Sequence, residues 1–261
     1  MGSSPTFGTN PGSHIHCDLI WPRMPYVFDR DRLEELAVQN AAAFASADPF
    51  PHVVIPDLLR PACAQQLFEV FPGPDDPMAW DQFGAEGYEV KLACGDETKF
   101  PAPLREAIYQ LNSGVFIRFL ERLTGIGHLL PDPHLLGGGL HLIRRGGHLG
   151  VHADFNWHPG LKAHRRLNLL VYLNPDWRPE YRGELELWDS TASERRVSIE
   201  PVFNRAVLFA TRSDTFHGHP QPWAAPEGVH RRSIAMYYYT TDRPAEEQRP
   251  AHSTLYKGYH V

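Results

Sequence analysis

The sequence is short of cysteine, with only Cys17, Cys63 and Cys94 in 261 residues. Three scattered thiols cannot make a disulfide framework or a cysteine-rich zinc site, so a reducing, cytoplasmic setting is expected. Long apolar runs are also lacking, and the N-terminus does not have the basic-then-apolar order of a signal peptide, so no membrane association is expected. Positive charge is not in excess: Lys+Arg 25 against Asp+Glu 31 leaves a formal net charge of −6, which argues against a nucleic-acid partner. No internal repeat or coiled-coil heptad is visible, which excludes solenoids and long helical rods.

The chain does have turn-forming residues, Gly 21 and Pro 24, and 15 histidines. Residues 1–28 form a Gly-, Pro- and Ser-rich leader, expected to be partly mobile. Residues 29–261 form one domain, with a helical part over 29–133, a β core over 134–241 and a tail over 242–261. In the helical part, Asp31 and Glu34 make a capping box, with Leu33, Leu36, Ala37, Asn40 and Phe44 along one stripe. His52–Ile55 is expected as a short buried strand. Pro61 opens a second helix running to Phe71, with Leu67, Val70 and Phe71 inward. A weakly alternating strand is expected at 88–93. Leu104, Ile108, Leu111, Phe116, Phe119, Leu120 and Leu123 then predict a helix from Leu104 to Leu123, stopped by Gly125.

From Leu135 onward, short alternating runs are separated by Gly, Pro, Asn and Asp. They predict strands near 136–144, 148–152, 166–174, 183–189, 195–201, 203–211, 214–218 and 230–240. The fold class is therefore α+β, mainly β: a double-stranded β-helix (jelly roll) with the N-terminal helices packed outside one sheet. In 166–174, Arg166, Asn168, Leu170, Tyr172 and Asn174 share one face, opposite Leu167, Leu169, Val171 and Leu173. In the last strand, Arg231, Ser233, Ala235 and Tyr237 oppose Arg232, Ile234, Met236 and Tyr238. Two polar faces of this kind suit a pocket inside the barrel that takes an anionic ligand.

His152-Ala153-Asp154 and His217 supply two imidazoles and a carboxylate. Such a set can occupy one face of an octahedral metal and leave three positions open, as a non-haem Fe(II) requires to bind an organic co-substrate and O₂ together. About one H-x-D triplet is expected by chance in a chain this rich in histidine, and a second one, His16-Cys17-Asp18, falls in the leader with no strand after it. Context selects His152 and Asp154. For the second histidine, His219 competes with His217 on the same strand face, and Pro220 ends that strand immediately after His219. Arg231 competes with Arg232 as the cation beyond it, and its parity with Ser233 favours Arg231.

Residues from about 136 to 241 resemble the prolyl 4-hydroxylase-like branch of the Fe(II)/2-oxoglutarate-dependent oxygenases, most closely a bacterial group. The resemblance runs through GGGLHLIRRGGHLGVHADFNWHP, RRLNLLVYLNPDW, RGELELWD, FNRAVLFATRSDTFHGHP and HRRSIAMYYYT, with a looser likeness at DPFPHVVIPDLL. It implies that His152, Asp154 and His217 ligate iron. It also implies that Arg231 binds the distal carboxylate of 2-oxoglutarate with help from Tyr172, and that Ser233 is a further candidate there. Arg144 stands where the family commonly has a tyrosine, which leaves the local contacts to co-substrate or substrate open. The implied enzyme is a dioxygenase (hydroxylase) that uses Fe(II), 2-oxoglutarate and O₂, with ascorbate as a stimulant to test. Its substrate would be a small molecule or a peptidyl residue. Related halogenases have Ala or Gly in place of the carboxylate, so Asp154 implies oxygen transfer.

Two rival readings are a cupin-type metal dioxygenase or isomerase that uses no 2-oxoglutarate, and a metal- or ligand-sensing barrel without turnover. Trp188, Tyr237, Tyr238 and Tyr239 read as packing aromatics. Asn156, Trp157 and His158 read as a loop at the barrel mouth, and Lys162–Arg166 as a solvated basic patch that could also attract an acidic substrate. Nothing in the sequence indicates an oligomeric state.

Overall fold

The computed structural model describes residues 26–76, 80–85 and 88–257; most of the leader, including His16-Cys17-Asp18, lies outside these. The last leader residues are core: Phe28 is fully buried, and the amide of Val27 donates to Gln110 Oε1 at 2.6 Å.

Four helices precede most of the sheet. Helix α1 (Arg30–Ser46) starts two residues earlier than the capping box implied. Its cap is Asp29, in extended conformation, whose Oδ1 accepts from the amides of Asp31 and Arg32 at 3.0 and 3.2 Å. Asp31 is already inside the first turn, and Glu34 reaches Arg122 instead. Strand β1 (His52–Ile55) and helix α2 (Pro61–Glu69) follow as expected. Next come β2 (Asp81–Ala85) and β3 (Glu89–Cys94), which pair antiparallel.

The single helix expected over Leu104–Leu123 is two, α3 (Ala102–Leu111) and α4 (Gly114–Thr124). The chain turns extended at Ser113, whose Oγ accepts from the Phe116 amide at 3.4 Å and caps α4. A trace of this break is in the sequence, where Leu111 and Phe116 are five residues apart in a series otherwise spaced by three or four. Gly125 closes α4 at φ 72°, a left-handed position that glycine takes without steric cost. Ser113→Ala should lower unfolding free energy by about 1 kcal/mol, the usual cost of a lost cap, measured by urea denaturation.

The remaining strands are β4 (Leu130–Pro131), β5 (Gly139–Ile143), β6 (His148–Ala153), β7 (Trp157–His158), β8 (Ala163–Tyr172), β9 (Leu185–Trp188), β10 (Arg195–Ile199), β11 (Ala206–Ala210), β12 (His217–His219), β13 (Arg231–Thr240) and β14 (Leu255–Tyr256). They form one antiparallel, nearly closed jelly-roll barrel in the order β1-β11-β8-β13-β5-β3-β6-β12-β9-β10, with β14 on β6, β2 on β3, β4 on β13 and β7 on β8. All eight strands expected after Leu135 are present. Beyond them, β2, β4, β7 and β14 had no periodic signal, since three of these are only two residues long.

Alternation decides what each sheet face meets. Leu167, Leu169, Val171, Ile234, Met236 and Tyr238 turn outward into a core shared with Phe44, Leu104, Phe116 and Leu120 of the helices. Helices therefore cover one sheet from outside, and burial of these side chains is the main force seating them. The opposite faces of β8 and β13 look into the barrel. One irregularity alters this. In the β8–β13 register Tyr238 faces Leu167 but Tyr239 faces Arg165, so Arg166 is an extra, bulged residue. The bulge breaks the inferred Arg166–Asn168 face and turns Arg165, not Arg166, into the barrel. Among the described residues, no helix is long and apolar enough to cross a membrane.

Candidate metal centre and anion pocket

Strands β6 and β12 pair with His217 opposite His152, which brings the two imidazole rings to 4.5 Å between centroids. Asp154, one residue past the end of β6, completes the group. His152, Asp154 and His217 each offer a ligand atom, and these atoms lie within 4.8 Å of one another. Nδ1 of His152 is 2.8 Å from the Gly150 carbonyl, and Nδ1 of His217 is 3.1 Å from that of Thr215. Donation to these carbonyls places the proton on Nδ1 and leaves both Nε2 lone pairs directed at the carboxylate, 3.5 and 3.3 Å from its oxygens. Two neutral imidazoles and one carboxylate, with tautomers set by the backbone, fit a divalent transition metal.

Asp154 is held on its far side. Its Oδ2 accepts from Asn168 Nδ2 at 2.7 Å and lies 3.1 Å from Arg165 Nη2. Burial would raise the pKa of this carboxyl, but the Arg165 guanidinium beside it holds it well below the usual carboxylate range. Burial, then the neighbouring His217, pushes His152 down. Both shifts favour the metal-binding forms of these two groups, an ionised Asp154 and a neutral His152.

The second end of the site is Arg231, at the start of β13 and 4 % exposed. Its Nε donates to the Gly183 carbonyl at 2.7 Å and its Nη2 to Tyr172 Oη at 3.3 Å, with the guanidinium carbon 4.9 Å from that ring's centroid. It makes no ion pair among the described residues, and burial pushes its pKa down. An unpaired buried cation is costly, so this arrangement fits an anionic ligand. Tyr172 is fully buried behind Arg231, and burial pushes its hydroxyl up. Ser233, two residues along the same face, is buried and lines the cavity.

One cavity of about 460 Å³ joins these parts, its lining including His152, Asp154, His217, Arg165, Arg231 and Ser233. His219 also lines it and is 4 % exposed. A register shift between His217 and His219 sets His219 opposite Leu149, outside the cluster of ligand atoms. Arg232 points the other way, 5.1 Å over the Phe68 ring, and Arg144 is exposed.

Several residues of the site carried no signal in the sequence. Arg165 belongs to the run read as a solvated patch, yet it is 1 % exposed and its guanidinium carbon lies 3.4 Å from the Tyr237 ring centroid. Tyr237, read as a packing residue, lines the cavity as well. The tail contributes Thr254 and Tyr256: β14 pairs with β6, setting Tyr256 opposite His152, and its hydroxyl donates to Glu89 Oε2 at 3.1 Å. Asn156 is buried and ties the tail down, donating to the Pro250 carbonyl at 2.8 Å and accepting from the His252 amide at 2.9 Å.

Comparison with known proteins places this geometry in context. Residues 138–239 match the family model described as the 2OG-Fe(II) oxygenase superfamily. No curated protein sequence matches the chain. Among solved structures, a prolyl hydroxylase from Trichoplax adhaerens in complex with a hypoxia inducible factor peptide fragment is similar at 20% identity and TM-score 0.55, over 80% of this chain and 91% of that one. The α-ketoglutarate-dependent carbocyclase SnoK of nogalamycin biosynthesis is similar at 14% identity and TM-score 0.54, over 80% of this chain and 86% of that one. The epimerase SnoN, solved with Fe³⁺, α-ketoglutarate and nogalamycin RO, is similar at 14% identity and TM-score 0.50, over 87% and 96%. At these identities the likeness establishes a shared barrel.

Proposed function

We propose that this chain, whose residues 138–239 match the model of the 2OG-Fe(II) oxygenase superfamily, hydroxylates a small-molecule or peptidyl substrate at the expense of 2-oxoglutarate. His152, Asp154 and His217 would hold Fe(II), and Arg231, backed by Tyr172 and flanked by Ser233, would bind the distal carboxylate of 2-oxoglutarate. The observation that carries this reading is a two-histidine, one-carboxylate cluster opening into the same cavity as a buried arginine without an anionic partner. A cupin-type dioxygenase that uses no 2-oxo acid has no need of such an arginine, and a sensing barrel would release no succinate.

Bound Fe(II), 2-oxoglutarate and O₂ supply the oxidation, in which decarboxylation of the 2-oxo acid to succinate and CO₂ is coupled to oxidation of a substrate C–H bond. The chain supplies geometry. His152, Asp154 and His217 would hold the metal beside the cavity, whose remaining lining would be available to co-substrate and O₂. Arg231 presents a planar fork of donors whose position is set by Gly183 and Tyr172 before any ligand arrives. Asp154 occupies the position that halogenases leave open, so oxygen transfer is the expected outcome. The free thiols Cys63 and Cys94 suit a reducing cytoplasm, which also keeps iron ferrous.

The test is a screen of amino acids, peptides and secondary metabolites for succinate release under Fe(II), 2-oxoglutarate, O₂ and ascorbate. Substrate-dependent succinate formation is expected. A product formed with Fe(II) and O₂ but without 2-oxoglutarate would transfer the assignment to the cupin-type alternative.

A further inference from the structure

Arg165 is a fully buried cation that the proposed chemistry does not use. It lies at the bulge in β8, sandwiched between Tyr237 at 3.4 Å and Phe155 at 4.5 Å from ring centroid to guanidinium carbon. Its Nε and Nη2 both donate to Asn168 Oδ1, at 2.9 and 2.7 Å. Asn168 in turn donates through Nδ2 to Asp154 Oδ2, the oxygen that Arg165 Nη2 also approaches at 3.1 Å. Three side chains thus form a closed ring, with each polar contact directed by the next. The ring engages Oδ2, which also lies 3.3 Å from His217 Nε2, while Oδ1 faces His152 Nε2 at 3.5 Å.

We propose that Arg165 and Asn168 are positioning residues that hold Asp154 by Oδ2 and so fix the orientation in which its carboxylate faces His152 and His217. This inference rests on the reading of His152, Asp154 and His217 as metal ligands. A free carboxylate can rotate about its Cβ–Cγ bond, and that would carry its oxygens away from the two imidazoles they now face. Holding one oxygen with two donors prevents the turn. The stacking of Arg165 between two rings keeps the guanidinium from following a rotated carboxylate. Outer partners of metal ligands commonly act this way and cost about 10–100-fold in metal affinity when removed. Arg165 reaches this position only because the bulge at Arg166 shifts the alternation of β8 by one residue.

The test uses Co(II) as a spectroscopic probe with the full chain, by calorimetric titration and by the visible absorption of the saturated protein. Arg165→Met and Asn168→Leu should each weaken Co(II) binding about 10–100-fold and change the saturated spectrum, because the carboxylate is no longer held. Arg165→Lys, which keeps the charge without the planar fork, should recover part of the affinity and also serves if the Met variant folds poorly. A change that only loosened packing would lower thermal stability but leave the saturated spectrum as in wild type. Wild-type affinity, or an unchanged saturated spectrum, in Arg165→Met and Arg165→Lys overturns the proposal. Asp154→Ala separates the two levels of inference. If it binds Co(II) like wild type, the ligand assignment itself fails; if it loses Co(II), any failure belongs to Arg165 and Asn168 alone.

Discussion

Asp154→Ala is expected to abolish Fe(II)-dependent turnover and to destabilise the metal-free protein, which no other ligand substitution should do to the same degree. His152→Ala and His217→Ala each remove one of three metal bonds and leave neutral surroundings. Asp154→Ala also strands Arg165, a 1 % exposed guanidinium whose only ion pair among the described residues is with Asp154. Removing one partner of a buried pair costs about 3–5 kcal/mol, because the remaining charge stays desolvated. Calorimetric titration with Fe(II) under anaerobic conditions should show loss of binding in all three variants, and thermal unfolding of the apo-proteins should place Asp154→Ala lowest. His219→Ala should retain metal binding. A dead His219→Ala beside a metal-competent His217→Ala would transfer the ligand role to His219.

Arg231→Ala should raise the 2-oxoglutarate concentration needed for half-maximal binding by about 30-fold to several thousand-fold, the equivalent of about 2–5 kcal/mol for a desolvated charge pair. The guanidinium is already oriented by Gly183 and Tyr172, so its ordering cost is met in the free protein. Arg231→Lys should recover only part of the loss, since an ammonium lacks the planar pair of donors. Tyr172→Phe removes the hydroxyl that fixes one edge of the fork, and a smaller increase is expected. Isothermal titration of 2-oxoglutarate into the Co(II)-loaded protein checks all three. Unchanged affinity in Arg231→Ala would place the carboxylate elsewhere in the cavity.

What the sequence determined by itself is what repeats locally. Period-two alternation located eight strands and assigned Leu167, Leu169, Val171, Ile234 and Met236 to the face that the helices cover. The same alternation placed Arg231 and Ser233 together on the inward face. Spacing and context singled out His152 and Asp154, whereas parity left His217 and His219 level, and Pro220 with the family resemblance favoured His217. Tertiary structure decided whatever depends on a partner far away in the chain. Arg165 and Arg166 are indistinguishable as neighbours, and only the pairing of β8 with β13 fixes which residue is bulged and which faces Asp154. Asn112-Ser113 carries a good apolar stripe on both sides, and the α3–α4 break left only the five-residue step from Leu111 to Phe116 as a trace. Tyr256 reaches His152 through a two-residue strand too short for any periodic signal, and its place is set by backbone pairing to β6. Registers, bulges and short edge pairings are long-range choices among backbone hydrogen bonds, which no side-chain pattern within a single segment records.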